Sequence, residues 1–429
     1  MTRTAAALLC LLLIASALAQ STFDDDLFGG EALVTEVDEN EEANPADELL
    51  ESEKIVLGGR FSVSMRADLD LNPDAGEDVV SSGLANLSTR LFLDARPTSD
   101  FRFLLKGDAN YSTGAGLDFA LREMFADIDI LDTVFLRAGK QTINWGVGPF
   151  FSPANLVNLE RIDPENPEEE LTGPVALKGQ LPIDTSNLTG YLLLNDIGGD
   201  ENIGVAARYE FLVGNSELTI GGIYDFSSPW ALMITATGNV EGATVFAEAV
   251  LQGNSDKVFV VADPRSRAGF RITTSDSLSV SGTIGGRFSY TTEDDLYSVS
   301  AAAQYLFNGL GYADPSLFTD DPAALAFAQQ QIALGNMSLS DLLERGQHNA
   351  AIRVSSNDIA NTDLTPSVLW LSNLSDGSGL VSAGVRYDGI DFVTLSLDYR
   401  YLYGPDGAEY RVAGASHTLS LGVTVSGSF

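Results

Sequence analysis

The chain closes on Ser416-His417-Thr418-Leu419-Ser420-Leu421-Gly422-Val423-Thr424-Val425-Ser426-Gly427-Ser428-Phe429. From Leu419 onward the apolar residues hold odd positions, and Ser, Thr and Gly hold the even ones. Successive strand side chains point to opposite faces, so this is a strand with one greasy face and one small, polar face. A soluble sandwich can also end this way. What the greasy face meets has to be decided from the rest of the chain.

The two-residue rhythm starts at Lys54, with Ile55, Leu57, Phe61, Val63 and Met65 opposing Arg60, Ser62, Ser64, Arg66 and Asp68. It returns at Leu278–Tyr290 and again at Val393–Tyr401. The segments run roughly 9 to 14 residues, the length a tilted strand needs to cross a bilayer. Strand starts are expected near Lys54, Leu84, Ser99, Gly116, Thr133, Pro174, Asn187, Asn202, Ser216, Pro229, Ala243, Lys257, Ala268, Ser277, Leu296, Gln347, Asp363, Gly379, Asp391 and Ser416. Lys257 and Ala268 begin the weakest pair, and rejecting both leaves eighteen without changing the even parity that two termini on one side require. Short turns are expected on one side, at Pro97-Thr98-Ser99, Leu131-Asp132, Asp184-Thr185-Ser186, Gly214-Asn215, Glu241-Gly242, Asp263-Pro264-Arg265, Glu293-Asp294-Asp295 and Asp388-Gly389. The long segments after Trp145, Gly309 and Gly404 fall on the other side.

Composition narrows the compartment. Arg3, the apolar run Ala5–Leu18 and the small residues before Gln20 read as a secretory signal peptide at 1–19. After it, no run is long and apolar enough for a spanning helix. The only cysteine, Cys10, lies within the signal, so thiolate metal sites and disulfides are excluded from the mature chain. Residues 20–53 hold thirteen Asp or Glu and no Lys or Arg, which reads as a disordered periplasmic tail ahead of a barrel at 54–429. From Lys54 onward there are 47 acidic and 23 basic residues, and the formal charge of −36 argues against nucleic acid as a partner.

In a membrane barrel the apolar face meets outer-membrane lipid and the polar face lines an interior. The polar faces carry Arg60, Arg66, Arg90, Arg102, Lys106, Arg208, Arg287, Arg353, Arg386 and Arg400, with Asp108, Glu210 and Asp398 among the acids, and these are the candidate pore-lining residues. Charges of both signs on such a wall either pair with one another or discriminate between permeants.

One stretch breaks the rhythm. Gly139-Lys140-Gln141-Thr142-Ile143-Asn144-Trp145-Gly146 leads into Pro149-Phe150-Phe151-Ser152-Pro153-Ala154-Asn155 and an acidic run from Glu160 to Glu170. A strandless segment this long, rich in aromatics and proline, is expected to be packed and functional. The passage resembles the strand-to-loop segment of large Gram-negative outer-membrane porin-like barrels, including alginate-export-like channels, where the loop folds towards the lumen. That resemblance implies a channel for passive or selective diffusion of small hydrophilic solutes. Trp145, Phe150, Phe151, Asn155, Glu168, Glu169 and Glu170 are then the candidate constriction residues. The closing strand likewise resembles the C-terminal signal of outer-membrane β-barrel proteins, which implies that Phe429 is read by the barrel-assembly machinery.

Between Asp314 and Gly346 the period turns helical, with helices expected over Ala323–Leu334, opened by Asp321-Pro322, and over Ser338–Arg345. His348 and His417 sit near outer strand ends with no positioned nucleophile or acid, so no catalytic residue is assigned. No spacing resembles a metal loop, and neither metal nor cofactor is expected. The expectation is an all-β transmembrane antiparallel barrel of about 18–20 strands, exported to the outer membrane, with a lumen-folded loop and a short helical external loop. The rival is a non-conducting structural or adhesive barrel.

Overall fold

Alternation carried through strand after strand leaves each one amphipathic, and such strands can hide their backbone polar groups from lipid only by pairing in a closed ring. The computed structural model describes residues 54–71, 80–194, 203–225, 230–275, 277–294, 296–357, 359–411 and 416–429. The expected signal peptide at 1–19 and acidic tail at 20–53 lie outside the described residues.

The strands are β1 (Ile55–Leu71), β2 (Val80–Thr98), β3 (Phe101–Ser112), β4 (Gly116–Ile130), β5 (Val134–Lys140), β6 (Val175–Ile183), β7 (Ser186–Leu194), β8 (Ile203–Val213), β9 (Ser216–Asp225) and β10 (Trp230–Val240). They continue as β11 (Ala243–Gly253), β12 (Ser255–Ala262), β13 (Phe270–Ser275), β14 (Ser279–Thr291), β15 (Ser298–Phe307), β16 (His348–Asn357), β17 (Leu364–Asn373), β18 (Ser378–Ile390), β19 (Val393–Tyr403) and β20 (His417–Ser428). All but β12 and β13 form one 18-stranded antiparallel sheet in which β11 pairs directly with β14. The first and last strands close it, from Arg60 opposite Ser428 to Leu71 opposite His417. Phe429 completes the seam by exchanging backbone hydrogen bonds with Gly59 (2.8 and 2.9 Å). The Phe429 ring lies where a Cβ on residue 59 would stand, 2.6 Å from its Cζ, so only glycine fits beneath it.

The apolar faces turn outward. Leu57 is 68% exposed, Phe119 73%, Ile284 62% and Leu421 57%, a surface no water-soluble chain keeps bare over its whole girth. Both histidines share this outward face rather than the lumen. The Nδ1 atoms of His348 and His417 hydrogen-bond the hydroxyls of Tyr305 and Tyr399, each at 2.6 Å.

The weakest expected pair does form, but outside the ring. β12 and β13 pair only with each other, so Asp263-Pro264-Arg265 tips a hairpin at the long-loop end and is not a short turn on the opposite side. The turn placed at Asp388-Gly389 moves to Asp391-Phe392, because a register shift between Tyr387 and Ile390 carries β18 further. Two helices follow β15: α1 (Ser316–Asp320) and α2 (Pro322–Ala333), the latter capped by the Asp321 carboxylate accepting from Ala323 N with Pro322 in its first turn. The helix expected over Ser338–Arg345 shrinks to one 3₁₀ turn at Leu339–Leu342. Leu343 is extended there, Glu344 sits at φ 48°, and the backbone is drawn away to bond Tyr312 and Glu409.

Hairpin and helices make one cap. Val260 and Phe270 pack against Tyr312, Phe318, Ala324, Ala328 and Met337. A polar knot ties this cap to neighbouring loops. Arg345, 1% exposed, donates to Gly407 O (3.0 Å) and lies over the Phe318 ring. The Glu409 carboxylate accepts from Glu344 N, Arg345 N and Asn373 Nδ2 (2.7, 3.0 and 2.8 Å). Burial raises the Glu409 carboxyl above its ordinary range and lowers the Arg345 guanidinium, while their mutual attraction opposes both shifts.

Candidate functional site

Residues 141–174, between β5 and β6, cross the inside of the ring. The root is pinned by Gln141 N to Pro174 O (3.0 Å) and Thr142 Oγ1 to Leu171 O (2.9 Å). Ile143, Trp145, Ala154 and Val157 then bury against inward residues of β6 to β11, among them Tyr191, Met233 and Val250. Phe150 and Phe151 bury against Leu306, Ala351, Leu369, Leu371 and Leu380 on β15 to β18. Burying residues this large stabilises by roughly 1.5–3 kcal/mol each, enough to hold a segment that has no sheet pairing of its own.

Two wall side chains receive its backbone. The Glu248 carboxylate on β11 accepts from Val147 N (2.6 Å), Gly148 N (2.7 Å), Ser152 Oγ (3.0 Å) and Ala154 N (2.9 Å). Gln304 on β15 accepts from Phe150 N (2.9 Å) and donates to Phe151 O. The bend is so tight that a Cβ at Gly146 would meet Ser152 Oγ at 1.5 Å and one at Gly148 would meet Phe151 O at 2.1 Å. That requirement explains the Trp-Gly-Val-Gly run.

The acidic half reaches other walls. Glu170 is held by Arg90 (2.8 Å) and Lys106 (2.6 Å), and Glu165 by Arg400 (2.6 Å). Arg353 donates to Glu165 O and Arg208 to Asn144 O, each at 2.8 Å. The segment thus touches β2, β3, β8, β11, β15, β16 and β19. Two cavities adjoin it inside the ring. One of about 520 Å³ is lined by Phe150, Asn155, Glu168, Glu169, Glu170, Arg287 and Arg353. Another of about 290 Å³, on the cap side, includes Phe150, Phe151, Asn155 and Lys257. A third, about 810 Å³, lies at the short-turn mouth beside Arg102, Arg137 and Lys178.

Most wall charges pair. Arg90 and Arg122 share Asp108, each at 2.7 Å; Arg102 takes Asp94 (2.9 Å), Arg66 takes Asp68 (2.6 Å), Arg208 takes Glu210 (3.0 Å) and Arg386 takes Asp388 (2.7 Å). Asp398 stands opposite Ser420 on the same inward face, and Arg60 opposite Arg90. Of the expected constriction residues, Phe150, Asn155 and Glu168 to Glu170 share the 520 Å³ cavity. Trp145 does not line it; it is buried against Tyr191 with ring centroids 5.8 Å apart.

Sequence reading missed Arg122, Glu123 and Gln304; alternation turns Glu248 inward with the other wall acids but does not show that it receives the loop. A β-bulge sets Glu123 opposite Lys106 and Leu121 opposite Gly107, so Arg122 is an extra residue and both it and Glu123 turn inward. One signal was available for the docking walls. Tyr191–Leu194, Ala231–Ile234 and Val368–Leu371 are continuous rather than alternating apolar runs, as strands covered on both faces are.

No protein-family model matches the chain, and no curated protein is significantly similar to it in sequence. Among solved structures it is similar to Pseudomonas aeruginosa OccK9 (OpdG), 11% identical, covering 88% of this chain and 99% of that one with a TM-score of 0.51. The outer membrane protein OpdK of the same organism is 10% identical, with 88% and 99% covered and a TM-score of 0.49. Acinetobacter baumannii OccAB1 is 12% identical, with 87% and 97% covered and a TM-score of 0.49. At such identity the likeness to OccK9 concerns the fold alone. That fold, an 18-stranded closed ring with its apolar faces outward, is that of an outer-membrane porin-like barrel.

Proposed function

We propose that the protein is an outer-membrane channel through which small hydrophilic solutes diffuse, narrowed by residues 141–174. Residues 1–19 are its export signal, residues 20–53 a periplasmic extension, and Phe429 the group offered to the assembly machinery. The long loops then face outward and the short turns the periplasm. The role is one of passage rather than catalysis. The observation that carries this reading is the segment clamped inside the ring by Glu248 and Gln304, with exposed Glu168 and Glu169 beside a 520 Å³ cavity. Buried apolar contacts hold it against the wall while its charged edge stays wet, the division of labour expected of a constriction.

A second reading, a non-conducting surface barrel, draws on the two apolar clusters that occupy part of the interior. Planar-bilayer recording on the refolded protein separates the two. Discrete current steps are expected; a silent bilayer with correctly folded barrel favours the non-conducting form.

A further inference from the structure

Most wall charges pair, which makes four unpaired charges gathered at one cavity informative. Arg287 on β14 and Arg353 on β16 point inward, yet among the described residues neither forms an ion pair. Arg353 donates only to the Glu165 backbone oxygen (2.8 Å), and each guanidinium lies 6.0 Å from an aromatic centroid, Phe246 for Arg287 and Phe150 for Arg353. On the loop side, Glu168 and Glu169 are exposed and likewise have no cation partner among the described residues; Glu169 accepts only from Asn166 Nδ2 (3.3 Å). All four line the same 520 Å³ cavity. They stay apart because the loop is held from elsewhere: Phe150 and Phe151 are buried in the wall, Glu170 is fixed by Arg90 and Lys106, and Glu165 by Arg400.

Two carboxylates and two guanidiniums therefore line one cavity without pairing across it. From this we infer that the site selects zwitterionic solutes, free amino acids and short peptides, whose ammonium faces Glu168 and Glu169 while the carboxylate faces Arg287 and Arg353. The inference rests on the channel reading above. A solute of one sign gains one contact and meets like charge beside it, and a neutral solute gains neither. The cavity falls within the roughly 300–1,000 Å³ of small-molecule sites. An exposed ion pair is worth a factor of roughly 1.5 to 5, so two together amount to about twofold to twenty-fivefold in occupancy.

The test is swelling of proteoliposomes in L-serine against glycerol, a smaller neutral solute, with gel mobility confirming that each variant folds. Wild-type vesicles are expected to swell at least about twofold faster in serine than size alone allows. That preference should vanish both in the Arg287→Gln/Arg353→Gln protein and in the Glu168→Gln/Glu169→Gln protein. Equal size-corrected rates in the wild type, or a preference that survives in both variants, overturns the zwitterion inference while glycerol uptake leaves the channel standing. No swelling in either solute overturns both.

Discussion

Glu248 answers four loop donors with one carboxylate, and hydrogen bonds to a charged group are worth roughly 1.5–3 kcal/mol each. Glu248→Ala strands these donors, so the loop is expected to fluctuate in the lumen and single-channel current to become noisier and larger. Glu248→Gln keeps one acceptor oxygen and should fall between. Identical traces for all three proteins would show that Glu248 does not hold the constriction. Nothing at residue 248 announces this role in the sequence, because alternation reveals which way a side chain points and not what meets it there. Lys257 is a second buried charge of this kind. It is 7% exposed, its Nζ has no hydrogen-bond partner among the described residues, and burial, with Arg161 adding to it and Glu344, Glu409 and Asp341 opposing, lowers its ammonium to about 8. An unfolded lysine titrates near 10.4, so between these values the unfolded cap binds more protons and stability rises with pH; below 8 both forms are charged and the penalty, about 3 kcal/mol at most, is constant. The buried Tyr312 hydroxyl is raised above its ordinary 10, so it opposes this trend only as the pH approaches 10, where the unfolded tyrosine begins to titrate. Chymotryptic nicking of the 255–275 hairpin should therefore be slower in Lys257→Met than in wild type at pH 7.5, and the gap should narrow by pH 9.5. A gap independent of pH would mean that the ammonium carries no such penalty.

Among the elements, the strands were the most legible and their partners the least. Each of the twenty expected starts lies within a few residues of a strand, since period-two alternation is a local signal. That β12 and β13 leave the ring was not local information. It depends on Val260 and Phe270 finding Tyr312 and Phe318 some fifty residues away in the cap. The helix at Pro322 was readable from Asp321-Pro322, whereas the failed helix after Ser338 yielded to tertiary hydrogen bonds from Glu409. The loop was recognisable from its aromatics and glycines, but its division into a buried root and a wet acidic edge was not. On the channel reading proposed above, it is the charge of that edge that bears on permeation. Glu170 is already paired, so Glu168→Gln/Glu169→Gln is expected to move the reversal potential towards anions through two unpaired charges. The shift should be largest at low salt, where the Debye length is about 30 Å at 0.01 M, and fade as salt rises. An unshifted reversal potential at low salt would remove these carboxylates from the path.

For the molecule as a whole, the chain's −36 charge says little about what a channel would pass, because most charges on the interior wall pair with one another. Closure matters more. A ring whose every strand has two partners should resist unfolding by detergent, so the unboiled protein is expected to run differently from the boiled one on a denaturing gel and to show β-rich circular dichroism. Ready solubility without detergent would contradict the outward apolar belt. The central claim, a barrel channel narrowed by its own inward segment, is tested most directly by single-channel conductance of wild type against a variant lacking residues 147–170. Both proteins are expected to give discrete steps, with larger steps from the deletion. Steps of equal size from a correctly folded deletion, or silence from both proteins, would contradict it.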